Sequence, residues 1–183
     1  MTRLGPNGSD PGEAERMAQT SDQAKSGWGQ TLEDMRAMAR DREASGYETL
    51  TLQAGNTAPK GPDQGDTDRW GLFYIIPGDD AEPFQNAVTP SDFDETAVYQ
   101  RAIGRYAFLV TEAIDHDETL DLMIAGSYRR DAASPLVRAA LDRDKMYSHV
   151  RTVDGTHLGT LEHEDPAAFF PDPDSIYAYE YRP

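Results

Sequence analysis

The residues of this chain best equipped to bind or react are its histidines and one arginine-rich segment. His149, His157 and His163 crowd the C-terminal third, while His116 sits between Asp115 and Asp117, the composition of a solvated turn. An imidazole with an ordinary pKa near 6.5 can serve as a general base or a metal ligand. Asp154-Gly155, between two strand-like runs, signals a two-residue hairpin turn. That register places His149 opposite Thr160 and Thr152 opposite His157, with His157 and His163 on one face and His149 on the other. Six residues of strand separate His157 from His163 by roughly 20 Å, too far for zinc, whose His bonds are about 2.0–2.1 Å. No metal site is expected, and His149 and His157 stand as the general-base candidates. The second place is Gly126-Ser127-Tyr128-Arg129-Arg130-Asp131, at a predicted strand end before a helix. Ser127, Arg129 and Arg130 are the anion-binding candidates there. A helix N-terminus offers free N–H groups, and guanidinium grips carboxylate or phosphate through two parallel bonds. The competing expectation is that these arginines pair with neighbouring aspartates, as surface ion pairs commonly do.

Other reactive patterns are missing. With no cysteine, thiolate metal sites and thiol nucleophiles are excluded. No G-x-S-x-G, H-E-x-x-H or S-x-x-K occurs. Gly155-Thr156-His157-Leu158-Gly159 lacks the lysine of a phosphate loop, and Gly27-Trp28-Gly29 lacks the third glycine of a dinucleotide fingerprint. No cofactor is expected. Carboxylate pairs such as Asp115/Asp117 are too common in so acidic a chain to single out.

That acidity is the strongest compositional feature. Lys and Arg number 17 against 33 Asp and Glu, a net charge of −16 over 183 residues. The charge is spread rather than blocked, and apolar runs such as Leu72-Phe73-Tyr74-Ile75-Ile76 exclude a disordered acidic tail. Calcium-loop motifs are absent. Adaptation to a salt-filled cytoplasm remains: in molar salt the Debye length shrinks to about 3 Å, and surface carboxylates no longer repel strongly. Nonspecific nucleic-acid binding is not expected, because phosphate needs surplus Lys and Arg. Residues 101–151 balance eight basic against eight acidic groups and are the span where an anionic partner would bind.

Four stretches, Met17-Ala18-Gln19-Thr20, Trp28-Gly29-Gln30-Thr31-Leu32, Asp154 to Thr160 and Glu164 to Pro171, resemble an uncharacterised haloarchaeal family, a domain of unknown function. The resemblance covers most of the chain. It implies a halophilic archaeal source and carries no catalytic residue.

The elements that must position these groups follow from periodicity. Residues 1–12 read as a loose segment. Trp28, Leu32, Met35 and Ala39 mark one face of a helix over about 13–45, which Gly27 and Gly29 weaken and Gly46 ends. Strands are predicted at 47–52, 70–76, 95–103, 106–114, 119–128, 146–153 and 156–163. Shorter helices fall at 80–88 and 132–143, with one turn after Asp165-Pro166. Residues 55–69 read as an exposed loop, and 172–183 as a disordered tail or edge strand. The expected fold is therefore α+β: a mainly antiparallel sheet packed by a long N-terminal helix and two shorter helices, in one domain over 13–171. The element order is analogous to that of profilin-like and roadblock-like domains, an order that hosts many functions.

No apolar run approaches a membrane span or a signal peptide, so a cytoplasmic location without membrane contact is expected. The leading expectation for function is a noncatalytic module binding a protein partner or a small ligand, with a homodimer through the long helix or an edge strand. The alternative is a metal-free enzyme acting on an anionic metabolite, with Arg129 and Arg130 holding the anion and His149 or His157 as base.

Overall fold

The computed structural model describes residues 11–65 and 67–181. The loose segment expected at 1–12 lies outside these residues, apart from its last two, which begin the first helix. That helix, α1 (Pro11–Ala44), opens on a proline, which has no N–H to leave unpaired in the first turn. It closes at Gly46, whose φ of +94° lets Tyr47 N–H return to the Arg42 carbonyl. Gly27 does not split α1. It lies where the helix crosses the sheet so closely that a Cβ would stand 2.7 Å from the Phe108 ring.

Eight strands follow: β1 (Glu48–Gln53), β2 (Asn56–Lys60), β3 (Gly71–Ile76), β4 (Glu95–Ile103), β5 (Tyr106–Asp115), β6 (Leu120–Arg129), β7 (Met146–Thr152) and β8 (His157–His163). The helices between and after them are α2 (Ala81–Val88), α3 (Ser134–Arg143), α4 (Pro166–Phe169) and α5 (Pro173–Tyr177). The class is α+β with a long N-terminal helix. The strands form two four-stranded sheets, β1-β6-β5-β4 and β2-β3-β7-β8, rather than one. Each holds one parallel pair, β1 with β6 and β3 with β7. Those pairs need long crossovers, which adjacent strand-like runs in a sequence do not reveal.

The inner faces of the two sheets meet. Leu52, Leu109, Leu122 and Ile124 from one and Leu72, Tyr74, Val150 and Leu161 from the other join Phe84 of α2 and Leu136 and Val137 of α3 in one core. The outer face of the first sheet takes α1: Met35 and Ala39 pack on Val110, Met123 and Ala125, flanked by Trp28 and Leu32. The outer face of the second sheet looks to solvent. Asn56, Thr160 and Glu162 are exposed there, and Lys60, Tyr147, Arg151 and His157 half-exposed.

Two expectations are corrected. Part of the 55–69 loop is strand β2; it lies at a sheet edge, where Pro59 can sit without costing a ladder bond. The 172–183 segment is no edge strand: Pro173–Tyr177 and Ala178–Tyr181 are helical turns. Its alternating aromatics meet cations instead of a ladder, Tyr177 under Arg138 and Tyr179 under Arg130, while Ile176 enters the core.

Candidate anion-binding face

The β7–β8 hairpin contains a bulge. His149 pairs with Thr160 and Val150 with Gly159, but Arg151 pairs with His157, leaving Leu158 as the extra residue. The expected pairing of Thr152 with His157 is therefore displaced. Because strand faces alternate residue by residue, one extra residue turns His157 to the face of His149. Their ring centroids are 5.8 Å apart on the solvent side of the sheet. His163 points the other way, fully buried, with its Nε2 2.8 Å from Ser148 Oγ and its ring against Phe169. Burial lowers its pKa to about 4, and it serves the core.

Hydrogen-bond bookkeeping fixes the proton on each of the two outer imidazoles. His149 Nε2 is 2.7 Å from the Trp70 carbonyl, which only accepts, so this nitrogen carries the hydrogen. Burial, opposed by that bond, lowers the His149 pKa to about 4, so the ring is neutral and Nδ1 accepts from the Thr160 hydroxyl at 2.8 Å. That hydroxyl has a single hydrogen, so it accepts from His157 Nε2 at 3.2 Å. The chain of bonds leaves the Nδ1 lone pair of His157 free.

Around this relay stand cations and aromatic rings. Phe73, next to His149 across β3, has its centroid 4.7 Å from that imidazole. Lys60 Nζ lies 5.6 Å and Arg151 Cζ 5.3 Å from the Phe73 centroid, so the two cations stand no more than about 11 Å apart. Tyr147 stacks on His149, Trp70 meets Tyr147 edge-on, and Arg143 lies over Trp70. Arg69 is close enough for its charge to help burial lower both His149 and His157. The nearby carboxylate Glu162 is held by Lys145 at 2.7 Å. Among the described residues, Lys60, Arg69, Arg143 and Arg151 have no carboxylate partner. Arg151 Nε is buried without any acceptor, a condition that costs about 1–3 kcal/mol or more for a charged group.

The sequence-predicted anion site is arranged differently. Arg129 grips Asp131 through two bonds of 3.0 and 2.6 Å, and Arg105 adds its charge at 3.8 Å. Arg130 donates to the Gly104 carbonyl and to Ser175 Oγ. Ser127 is half-buried on β6, opposite Phe108. These groups lie at the end of the first sheet and His149 and His157 on the second, and among the described residues no hydrogen bond or ring contact joins the two sets. His116 is a turn residue, bonded to Glu95 at 2.6 Å and to Tyr47 at 2.7 Å; the Glu95 bond raises its pKa.

One carboxylate pair matters after all. Glu112 and Asp121, both fully buried between α1 and the first sheet, each lie 3.1 Å from Arg42 Nε. Burial and the hydrogen bond and charge of Glu112 push Asp121 upward, to about 8, against the pull of Arg42. This cluster ties the end of α1 to the sheet. Among the described residues no group of three or more His, Asp or Glu could hold a metal.

The model of a family of unknown function, DUF7529, matches residues 14–171. The chain belongs to that family. No curated protein and no solved structure matches it. The DUF7529 unit runs from α1 through α4 and contains the whole candidate face, leaving α5 outside it. No helix is long and apolar enough to cross a membrane.

Proposed function

We propose that this DUF7529 protein is a noncatalytic binding module of a salt-rich archaeal cytoplasm, and that it takes a small anion on the solvent face of β2-β3-β7-β8. One observation carries the reading: a chain of net charge −16 gathers Lys60, Arg69 and Arg151 around one face, without carboxylate partners among the described residues. One of them, Arg151, buries a guanidinium N–H that lacks an acceptor. An anion on the accessible part of that guanidinium would give its charge a partner, and the surrounding negative field would confine it to this patch. The abundant carboxylates elsewhere answer to salt and need no partner. The reading is tested by calorimetric titration with citrate and with inorganic phosphate at fixed potassium chloride. Binding that weakens at least tenfold in Arg151→Gln and is unchanged in Arg129→Gln supports it. No heat with either anion refutes it.

A second reading, a metal-free enzyme on an anionic metabolite, is favoured by the free Nδ1 of His157 beside the same cations. It moves the anion from Arg129 and Arg130 to Arg151 and Arg69. Turnover of a bound anion that disappears in His157→Gln while binding persists would establish it over the noncatalytic reading.

A further inference from the structure

We infer that the ligand of this face is a small phosphorylated molecule, its phosphoryl group seated between Lys60, Arg151 and Arg69 above the Phe73–His149 pair. The inference rests on the anion-binding reading and narrows it to one chemistry.

Charge and direction decide among anions. A carboxylate carries one charge and two coplanar oxygens, which a single guanidinium satisfies. This face offers more. Lys60 reaches Phe73 from the β2 edge and Arg151 reaches the same ring from β7, so their donors converge from opposite sides. Arg69 adds a third charge from the segment before β3, near enough to act on both His149 and His157. Three cations from three directions match a phosphoryl group, with up to two negative charges and three terminal oxygens in a tetrahedral spread. The Arg151 guanidinium has no carboxylate in the protein to give up before it turns to a ligand, and its buried Nε holds no acceptor.

Size is decided by the charge around the patch. Residues 1–100 and 152–183 each carry a large acidic surplus, and the cations of the face form an island among them. A mononucleotide or sugar phosphate places all its charge on the island. A nucleic-acid strand would carry its further phosphates onto a chain whose net charge is −16, against the repulsion of its carboxylates.

The test is an NMR titration of imidazole-labelled protein at fixed potassium chloride, following the ring signals of His149 and His157. The probes are inorganic phosphate, acetate and a single-stranded oligothymidylate. Expected is a saturable shift of both rings with phosphate at a Kd at least tenfold below that for acetate, weakened at least tenfold in Lys60→Gln and in Arg151→Gln. The two variants are paired so that one remains informative if the other fails to fold. Citrate binding in calorimetry together with acetate equal to phosphate would overturn the phosphoryl assignment and leave the anion reading standing. No shift with any probe, together with no heat in calorimetry, would overturn both. Oligothymidylate binding far tighter than phosphate, with a steep salt dependence, would overturn the small-ligand conclusion and make the occupant a nucleic acid.

Discussion

The proton held by the Glu112–Asp121 pair should set the alkaline edge of stability. Asp121 ordinarily loses its proton near 3.8, but in the folded chain it keeps it to about 8, and the pair titrates as a unit. Above pH 4 the folded state thus binds a proton that the unfolded state releases, and stability falls as pH rises toward 8. His149 and His163 act in the opposite sense. Burial lowers both from 6.5 to about 4, so the unfolded chain takes up two protons that the folded chain refuses, and stability is lost as pH falls below 6.5. Between pH 4 and 6.5 the two histidines outweigh the one acid; above 6.5 Asp121 acts almost alone. The expected profile is a dome with its summit near pH 6.5. One proton corresponds to about 1.4 kcal/mol per pH unit. For a chain of this size that is roughly 3–5 °C in Tm per unit, or at most about 8 °C between pH 6.5 and 8. Asp121→Asn replaces the protonated carboxyl with a permanently neutral amide and should level this descending limb. His116, raised by Glu95, falls in the same direction, but it is exposed and its small share survives in the variant. The assay is thermal unfolding by circular dichroism at constant potassium chloride from pH 4.5 to 8.5. A wild-type curve flat from 6.5 to 8, or an asparagine variant descending as steeply as the wild type, would refute the reasoning.

Other outcomes follow from packing and charge. Gly71 has φ +135°, and a Cβ there would stand 2.1 Å from the Tyr147 carbonyl oxygen; Gly71→Ala should lose about 3 kcal/mol in urea unfolding. Tyr74→Phe removes a fully buried hydroxyl bonded to Thr111 at 2.7 Å and should cost about 1–3 kcal/mol, seen as a lower urea midpoint with unchanged m. Arg130→Ala should free the 173–181 turns, accelerating protease cleavage there with little change in Tm, because it removes the bond to Ser175 and the cover over Tyr179. Raising potassium chloride from dilute to molar should raise Tm markedly, since screening relieves a net charge of −16; equal Tm values would count against the salt-adapted surface.

Much of the fold was written in short-range pattern. The stripe of Trp28, Leu32, Met35 and Ala39 is the face that α1 buries, and Gly104-Arg105 joins β4 to β5 as a two-residue turn. What escaped was long-range or of single-residue size. Strand β2 hid behind Pro59 and a glycine-rich neighbourhood, because an edge position tolerates what a central strand would not. The candidate face is assembled from Lys60, Arg69 and Arg151, distant in sequence and brought together by the β2-β3-β7 pairing. Arg151 did fall within the neutral span that composition marked out. Glu112 and Asp121 looked like two carboxylates among 33, and only their burial under α1 distinguishes them.

The extra residue in β8 has a consequence for how members of this family should be compared. Leu158 acts as a parity bit: bulged out of the ladder, it leaves His157 opposite Arg151 on the outer side with His149; paired opposite Arg151, it would turn the same imidazole inward toward the Val150 side of the sheet. A relative whose ladder took in that residue could keep both histidines, the arginine and the threonine, score as identical at each, and yet present a different surface. For this hairpin the pairing register between turn and Thr160 is as much a signature as the letters it contains.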